Sequence, residues 1–252
     1  MTSLLQLTDN LLYPDSDGKP LAENTEQYRW IAIIKENLEI LFANNPNVFI
    51  AADLLWYPIQ VEIPPAPRQA PDVMVIFGRP KGRRGSYIQW REHNISPQVA
   101  FEILSPSNKT RRGEDEMEEK FDFYQQYGVE EYYIYDPDTL ALGGWLRQGP
   151  LLTPIPDLSR WVSPRLGIQF EWQPQQELVL RHPDGQHFLS SVELAERAKL
   201  TEQQLVQTEQ QLVQTEQRLI QEQQKRQQLA SQLSSLSPEQ LQALGIDPEM
   251  LA

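Results

Sequence analysis

An amphipathic pattern runs from about Glu23 to Phe42, where apolar residues recur at steps of three and four. The residues on this apolar face are Tyr28, Ile31, Ile34, Leu38 and Leu41. Such spacing predicts a helix with one buried face. The turn formers at 44–46 predict its end.

Two later segments, 72–77 and 99–104, are apolar at nearly every position, which is typical of strands buried on both faces in the centre of a sheet. Shorter apolar segments at 48–52 and 55–62 predict two further strands. The turn-rich residues of 64–67 predict an extended connection between these two pairs of strands.

A helical pattern over 114–127 ends at Gly128, a residue favoured just after a helix, and a strand pattern follows at 131–135. Strand, helix and strand in this order predict a crossover unit. Residues 141–180 are rich in glycine, proline and tryptophan and predict β-hairpins that extend the sheet. We therefore expect an α/β (α+β) fold with a mixed sheet flanked by helices.

A seven-residue repeat fills the last part of the chain, at 205–211, 212–218 and 219–225. A repeat of seven predicts a coiled coil at the end of a long helix. If leucine occupies one core position, the other is polar, with Thr208, Thr215 and Glu222. Two interpretations stay open: a homodimer through this helix, or a solvated rod lying on the domain.

The changes of pattern divide the chain into four parts. We expect an N-terminal extension at 1–20, a main domain at 21–188, a helix rich in glutamine and glutamate at 189–236, and a short C-terminal helix at 237–252. No apolar segment reaches about 18 residues and no leader-like start is present, so we expect a cytoplasmic protein without membrane contact.

Composition excludes several chemistries. The 252 residues include no cysteine, which rules out disulfides, thiolate zinc sites and cysteine nucleophiles, and only three histidines. The 40% of hydrophobic residues is enough for a real core. The net charge of −13 argues against a protein that coats nucleic acid without specificity.

The total charge is unevenly distributed. Between Arg79 and Arg112 eight basic residues face two acidic ones, so this basic segment carries +6 and the rest of the chain −19. Either the segment is a solvated loop that pairs with acidic neighbours, or it holds a phosphate backbone.

Two of the apolar strands each carry one carboxylate, Asp72 at the start of the first and Glu102 inside the second. A buried carboxylate is unfavourable unless it is paired or binds a metal. Two carboxylates on adjacent strands suit Mg²⁺, and Lys120 on the next helix could act on a phosphate. The plainer alternatives for Glu102 are an ion pair with an arginine or an outward-facing position on an edge strand, and for Lys120 a surface pair with Glu116.

Several motifs together resemble the Uma-two family, bacterial restriction-type endonucleases of the PD-(D/E)XK nuclease superfamily. The resemblance spans about residues 15–180 and its most specific part runs from Glu102 to Pro137. The motifs are Glu23, Pro71-Asp72-Val73, the segment 101–107, Lys120-Phe121, Tyr124, the segment 128–132 and Asp136-Pro137.

The resemblance implies a restriction-endonuclease-like fold and an endonuclease that hydrolyses DNA with Mg²⁺ or Mn²⁺. It implies that Asp72 and Glu102 bind the metal and that Glu23 completes the site, although a glutamate there also suits a helix N-terminus. The superfamily pattern expects a lysine where this chain has Leu104, and the family resemblance suggests that Lys120 supplies the amine instead.

DNA would then be the substrate, and five cations of the basic segment are the candidates for binding it: Arg83, Arg84, Lys109, Arg111 and Arg112. A second hypothesis also starts from Leu104. The domain would be a catalytically silent scaffold that binds nucleic acid or protein and assembles through its C-terminal helix.

Overall fold

The structure is a computed structural model, and it describes residues 12–243 and residue 245. The described chain divides into two compact units with the boundary between Val192 and Glu193. No described helix contains a stretch that is long and apolar enough to cross a membrane.

Four helices are named below, and they are α1 (Thr25–Leu41), α2 (Arg111–Tyr127), α3 (Ser191–Ser234) and α4 (Pro238–Ala243). The strands are β1 (Val48–Ala51), β2 (Trp56–Tyr57), β3 (Val73–Phe77), β4 (Tyr87–Ile88), β5 (Val99–Ile103), β6 (Glu131–Asp136), β7 (Ala141–Gln148), β8 (Leu151–Pro154), β9 (Gln169–Glu171) and β10 (Val179–Arg181).

The main sheet of the first unit has six strands in the order β1-β3-β5-β6-β7-β8. β5 and β6 are parallel, and every other neighbouring pair is antiparallel. α2 connects the two parallel strands, which is the crossover predicted from the strand–helix–strand pattern. The predicted mixed sheet with flanking helices and a long C-terminal helix is confirmed.

Each face of this sheet is covered by a helix because alternate side chains of a strand point to opposite faces. On one face, Ile31, Ile34 and Leu38 of α1 pack in a cluster with Val73 and Phe101. A second cluster contains Tyr124 of α2 together with Met74 and Ala100, which alternate with the first pair along the same strands.

The helices begin where their sequences supply a cap. The side chain of Asn24 accepts a hydrogen bond from the backbone N–H of Gln27 at the start of α1. Thr110 caps α2 in the same way through Gly113, so this helix begins three residues before the predicted position. Gly128 ends α2 in the left-handed conformation, as predicted.

Two sequence predictions were wrong in part. Within 141–180 only β7 and β8 extend the main sheet, while β9 and β10 form a separate two-stranded sheet. Phe170 of β9 packs against the rings of Phe101 and Tyr133, so this hairpin covers a face of the main sheet instead of its edge. Of the segment 55–62 only β2 forms a strand, because Pro58 lacks the N–H that would continue its ladder.

Candidate active site

Glu102 is a carboxylate buried inside the main sheet. It lies on β5, where every residue is buried, and its own exposed fraction is 2%. Because Ala100 belongs to the cluster under α2, the alternation of the strand points Glu102 to the same side. Glu102 is therefore a buried carboxylate, as its apolar neighbours in the sequence predict, and its strand is not an edge strand of the sheet.

Two side chains of α2 hold this carboxylate. Lys120 Nζ lies 2.6 Å from Glu102 Oε2, and the hydroxyl of Tyr124 donates to Glu102 Oε1 at 2.5 Å. The two residues are four positions apart and share one face of the helix. Glu116 pairs with Arg112 instead of Lys120, so the surface pair considered from the sequence does not form.

Asp72 lies next to Glu102 across the sheet. β3 and β5 pair with Val73 opposite Phe101, and continuing this register by one residue places Asp72 opposite Glu102. Asp72 Oδ2 accepts a hydrogen bond of 2.6 Å from the backbone N–H of Ile103. The fold thus brings the two predicted carboxylates together at one end of two central strands.

The surroundings shift the pKa values of both Asp72 and Lys120. Burial, followed by the negative charge of Glu102, raises the pKa of Asp72 to about 8. Burial works against the ammonium of Lys120, but the nearby carboxylates of Glu102 and Asp72 raise its pKa above the usual value. Lys120 is therefore a cation at neutral pH, while Asp72 holds its proton up to about pH 8 unless a further positive charge binds beside it.

Glu23 lies at the edge of the same region, just before the cap of α1. Its carboxylate accepts hydrogen bonds from the hydroxyls of Ser105 at 2.8 Å and Ser107 at 2.7 Å. The bonds from Ser107 and then Ser105 lower the pKa of Glu23. The glutamate therefore ties the start of α1 to the loop that follows β5.

This loop lies unusually close to α2 at Gly113. A β-carbon on Gly113 would come within 2.2 Å of the carbonyl oxygen of Ser107, which is too close for any other residue. The glycine therefore lets the first turn of α2 lie against the serines that bind Glu23.

A cleft of about 470 Å³ opens over these groups. Asp72, Lys120 and Glu23 line it, and so do Lys19 and Arg112. The cleft therefore combines carboxylates with cations that could face a phosphate.

Asp53 is a further acidic residue that lines the cleft, and sequence reasoning missed it. Burial and then the charge of Asp17 raise its pKa to about 6, and it also interacts with Lys120. The available signal was its position just after the buried strand β1, which resembles the position of Asp72 just before β3.

The predicted DNA-binding cations are placed differently from one another. Arg112 lines the cleft, whereas Lys109 pairs with Asp136 and Asp138 and Arg84 pairs with Glu92. The other two candidates of the basic segment, Arg83 and Arg111, are exposed. The five residues therefore do not act as one continuous free patch, and their role in binding stays a prediction.

Within the described residues, no three acidic or histidine side chains are grouped so as to hold a metal ion by themselves. Asp72 and Glu102 are paired by the sheet, but Glu23 is engaged with the two serines. The role of Glu23 as a third ligand therefore stays a prediction.

Comparison with known proteins gives one family. The Uma2 family, described as "Putative restriction endonuclease", matches residues 17–181, which is more than half of the chain. No curated protein matches the sequence. A solved structure with some similarity is a "putative nuclease belonging to DUF820" from Anabaena variabilis ATCC 29413, with 13% identity, a TM-score of 0.43, and coverage of 60% of this chain and 81% of that one. On the extent of the family match, this chain belongs to the Uma2 family.

Proposed function

We propose that this chain is a divalent-metal-dependent endonuclease that hydrolyses phosphodiester bonds of DNA in the cleft over β3 and β5. The observation that carries the proposal is the contact of Lys120 with Glu102 beside Asp72. Membership of a family described as restriction endonucleases supports the reaction class.

The donor set fits a hard divalent cation. Mg²⁺ prefers oxygen ligands and needs only one or two protein carboxylates, with water and substrate phosphate as the remaining ligands. Asp72 and Glu102 would hold it, and a bound cation would offset the burial and then the negative charge of Glu102 that raise the pKa of Asp72. When bound, Mg²⁺ or Mn²⁺ would supply Lewis-acid polarisation of the scissile phosphate.

Lys120 would stabilise the charge that develops on the phosphate. A lysine with a raised pKa stays protonated, so it suits electrostatic stabilisation and not proton abstraction. Tyr124 would orient Glu102 through its hydrogen bond, and Glu23 would fix the loop at the cleft edge through Ser105 and Ser107.

Binding of the DNA backbone would use the cations nearest to these groups. Lys19 and Arg112 line the cleft, and Arg111 is the exposed neighbour of Arg112 at the start of α2. Contacts of this kind fix the position of the backbone without reading its sequence. Arg83, Arg84 and Lys109 would contribute farther from the scissile bond.

The silent scaffold remains the second hypothesis because Leu104 stands where the superfamily pattern has lysine. The position of Lys120 favours the enzyme, since its ammonium contacts the carboxylate of Glu102 from α2. A scaffold would bind DNA with the same salt dependence but leave it intact.

The experiment is cleavage of a covalently closed supercoiled plasmid by the purified chain with Mg²⁺, Mn²⁺ or EDTA. A closed plasmid has no ends, so nicked and linear products report endonuclease activity. The chain is compared with Asp72→Asn, and Asp122→Asn serves as a matched control because Asp122 is exposed on the same helix as Lys120.

We expect cleavage with either metal by the unchanged chain and by Asp122→Asn, and a loss of at least about a hundredfold in Asp72→Asn. Equal cleavage by all three proteins would identify a contaminating nuclease. DNA binding without cleavage under every metal condition would favour the scaffold.

A further inference from the structure

α3 presents an apolar stripe to solvent in its central part. The helix has 44 residues and none of them is buried. The exposed fractions of Leu205, Leu212 and Leu219 are 60%, 59% and 54%. Exposed leucines in a regular column are typical of a surface that another element covers.

The spacing of this stripe indicates what kind of element covers it. The leucines recur every seven residues. In a straight helix, residues seven positions apart are displaced from each other by about 20° around the helix axis. A stripe of constant period seven stays in contact only with a helix that winds around it in a left-handed supercoil. The partner is therefore another long helix with the same period.

The second core column is less polar than its sequence suggests. Thr201, Thr208 and Thr215 occupy it at steps of seven, and the last two lie three residues after Leu205 and Leu212. Their hydroxyls donate to the carbonyl oxygens of the residues four positions earlier, at 2.9, 2.9 and 2.8 Å. With the hydroxyl satisfied inside the helix, the γ-methyl group remains to face a partner.

One heptad breaks both columns with opposite charges, Glu222 in the second and Arg226 in the first. In a parallel, in-register pair each core layer holds the same residue of both copies, so leucine packs against leucine, and the layer of two Glu222 side chains lies next to the layer of two Arg226 side chains. An antiparallel pair that joined the same residues would be centred at residue 224, and the helix before about residue 214 would have no partner. Only the parallel arrangement therefore brings the opposite charges into neighbouring layers and also covers the leucines at 205 and 212.

We infer that α3 is a dimerisation element, in which two copies of this chain form a parallel, in-register coiled coil. Leucine and threonine layers build its core, and the charged layers at 222 and 226 set its register. The nearby column of Val206, Val213 and Ile220 lies outside this seam. The inference does not depend on nuclease activity.

The first test is the mass of the full chain by light scattering over a range of concentrations. We expect twice the mass of one chain, with dissociation on dilution. A monomer at every concentration would mean that α3 stays single or lies on its own domain, and a trimer or larger assembly would mean that the valine column is also covered. Each of these results would overturn the inference.

The second test uses two matched double variants. Leu205→Ser with Leu212→Ser removes two core layers and should raise the dimer dissociation constant at least about a hundredfold. Val206→Ser with Val213→Ser changes the adjacent, similarly exposed column and should leave the constant within about threefold of the original. Equal weakening by both pairs would overturn the assigned seam.

The third test reports orientation without depending on loss of assembly. Because the chain has no cysteine, one introduced thiol has only its copy as a partner. Leu212→Cys should form a disulfide-linked dimer on mild oxidation, whereas Val213→Cys should not. Failure of Leu212→Cys to cross-link would overturn the parallel register.

Discussion

Glu102 is a carboxylate inside a sheet, and its contacts explain why the fold tolerates it there. The ammonium of Lys120 and the hydroxyl of Tyr124 each bind one of its oxygens. Removing one partner of such a buried pair costs about 3–5 kcal/mol because the other charge stays behind. At the residue scale, the contacts that hold Glu102 in the candidate site thus also stabilise the folded protein.

Asp72 has the opposite effect on stability, and its pKa gives a prediction. Its pKa rises from 3.8 to about 8 on folding, so between these values the folded chain holds a proton that the unfolded chain releases. The free energy of unfolding therefore falls as the pH rises from about 4 to about 8. Asp72→Asn removes this decrease in the free energy of unfolding. The amide oxygen of the asparagine can still accept the hydrogen bond from the backbone N–H of Ile103.

We expect Asp72→Asn to unfold at least about 3 °C above the unchanged chain at pH 8 in EDTA, with a difference that shrinks towards pH 4. Thermal unfolding followed by circular dichroism checks this. Asp122→Asn should show no such trend. A variant that is less stable at pH 8 than at pH 5, relative to the unchanged chain, would contradict the raised pKa.

At the scale of elements, α2 brings chemistry to the sheet from outside the strand that carries Glu102. Its cap at Thr110 and the close approach at Gly113 fix where the helix begins, and Lys120 then lies over β5. The sequence predicted the helix but left two roles for Lys120, action on a phosphate at the site or a surface pair with Glu116. Only the packing of α2 on the sheet decides between them.

The position of the missing motif lysine can be tested by moving the amine. Leu104 follows Glu102 by two residues and comes directly after the end of β5, so continued alternation would place it on the same face as Glu102. Lys120→Met should lower the rate of plasmid nicking by about 10²–10³-fold, and adding Leu104→Lys should recover at least about tenfold.

Initial rates of plasmid nicking check this exchange. Lys35→Met is the control, since Lys35 pairs with Glu39 at the surface of α1. An unchanged rate in Lys120→Met would remove the lysine from the mechanism. No recovery in the double variant, although it folds, would mean that the helix position is essential.

At the scale of the whole molecule, much of the architecture could be predicted and much of the site could not. The central strands and their crossover follow from continuous apolar segments, which leave few alternatives. Asp53 and the position of the β9–β10 hairpin depend on contacts between segments distant in sequence. The pairing of Lys109 with Asp136 likewise joins the segment after β5 to the end of β6, which no local pattern connects.

The distribution of charge likewise differs between the sequence and the folded molecule. The sequence displays a basic segment of +6, but the fold commits Arg79 and Arg84 to Glu92. The cations that line the cleft are Lys19, which lies outside that segment, together with Arg112 and Lys120. Local charge along the chain therefore located the region of the site without identifying the residues that face it.

The central claim is that Asp72 and Glu102 form a divalent cation site beside Lys120, and this can be measured without knowing the DNA sequence that is cut. The measurement is calorimetric titration of Mn²⁺ into the full chain, Asp72→Asn, Glu102→Gln and Asp122→Asn, each shown to be folded. We predict one site per chain in the first and last proteins, weakened at least about tenfold in the other two. Absence of binding in the unchanged chain, or equal binding in all four proteins, would contradict the account.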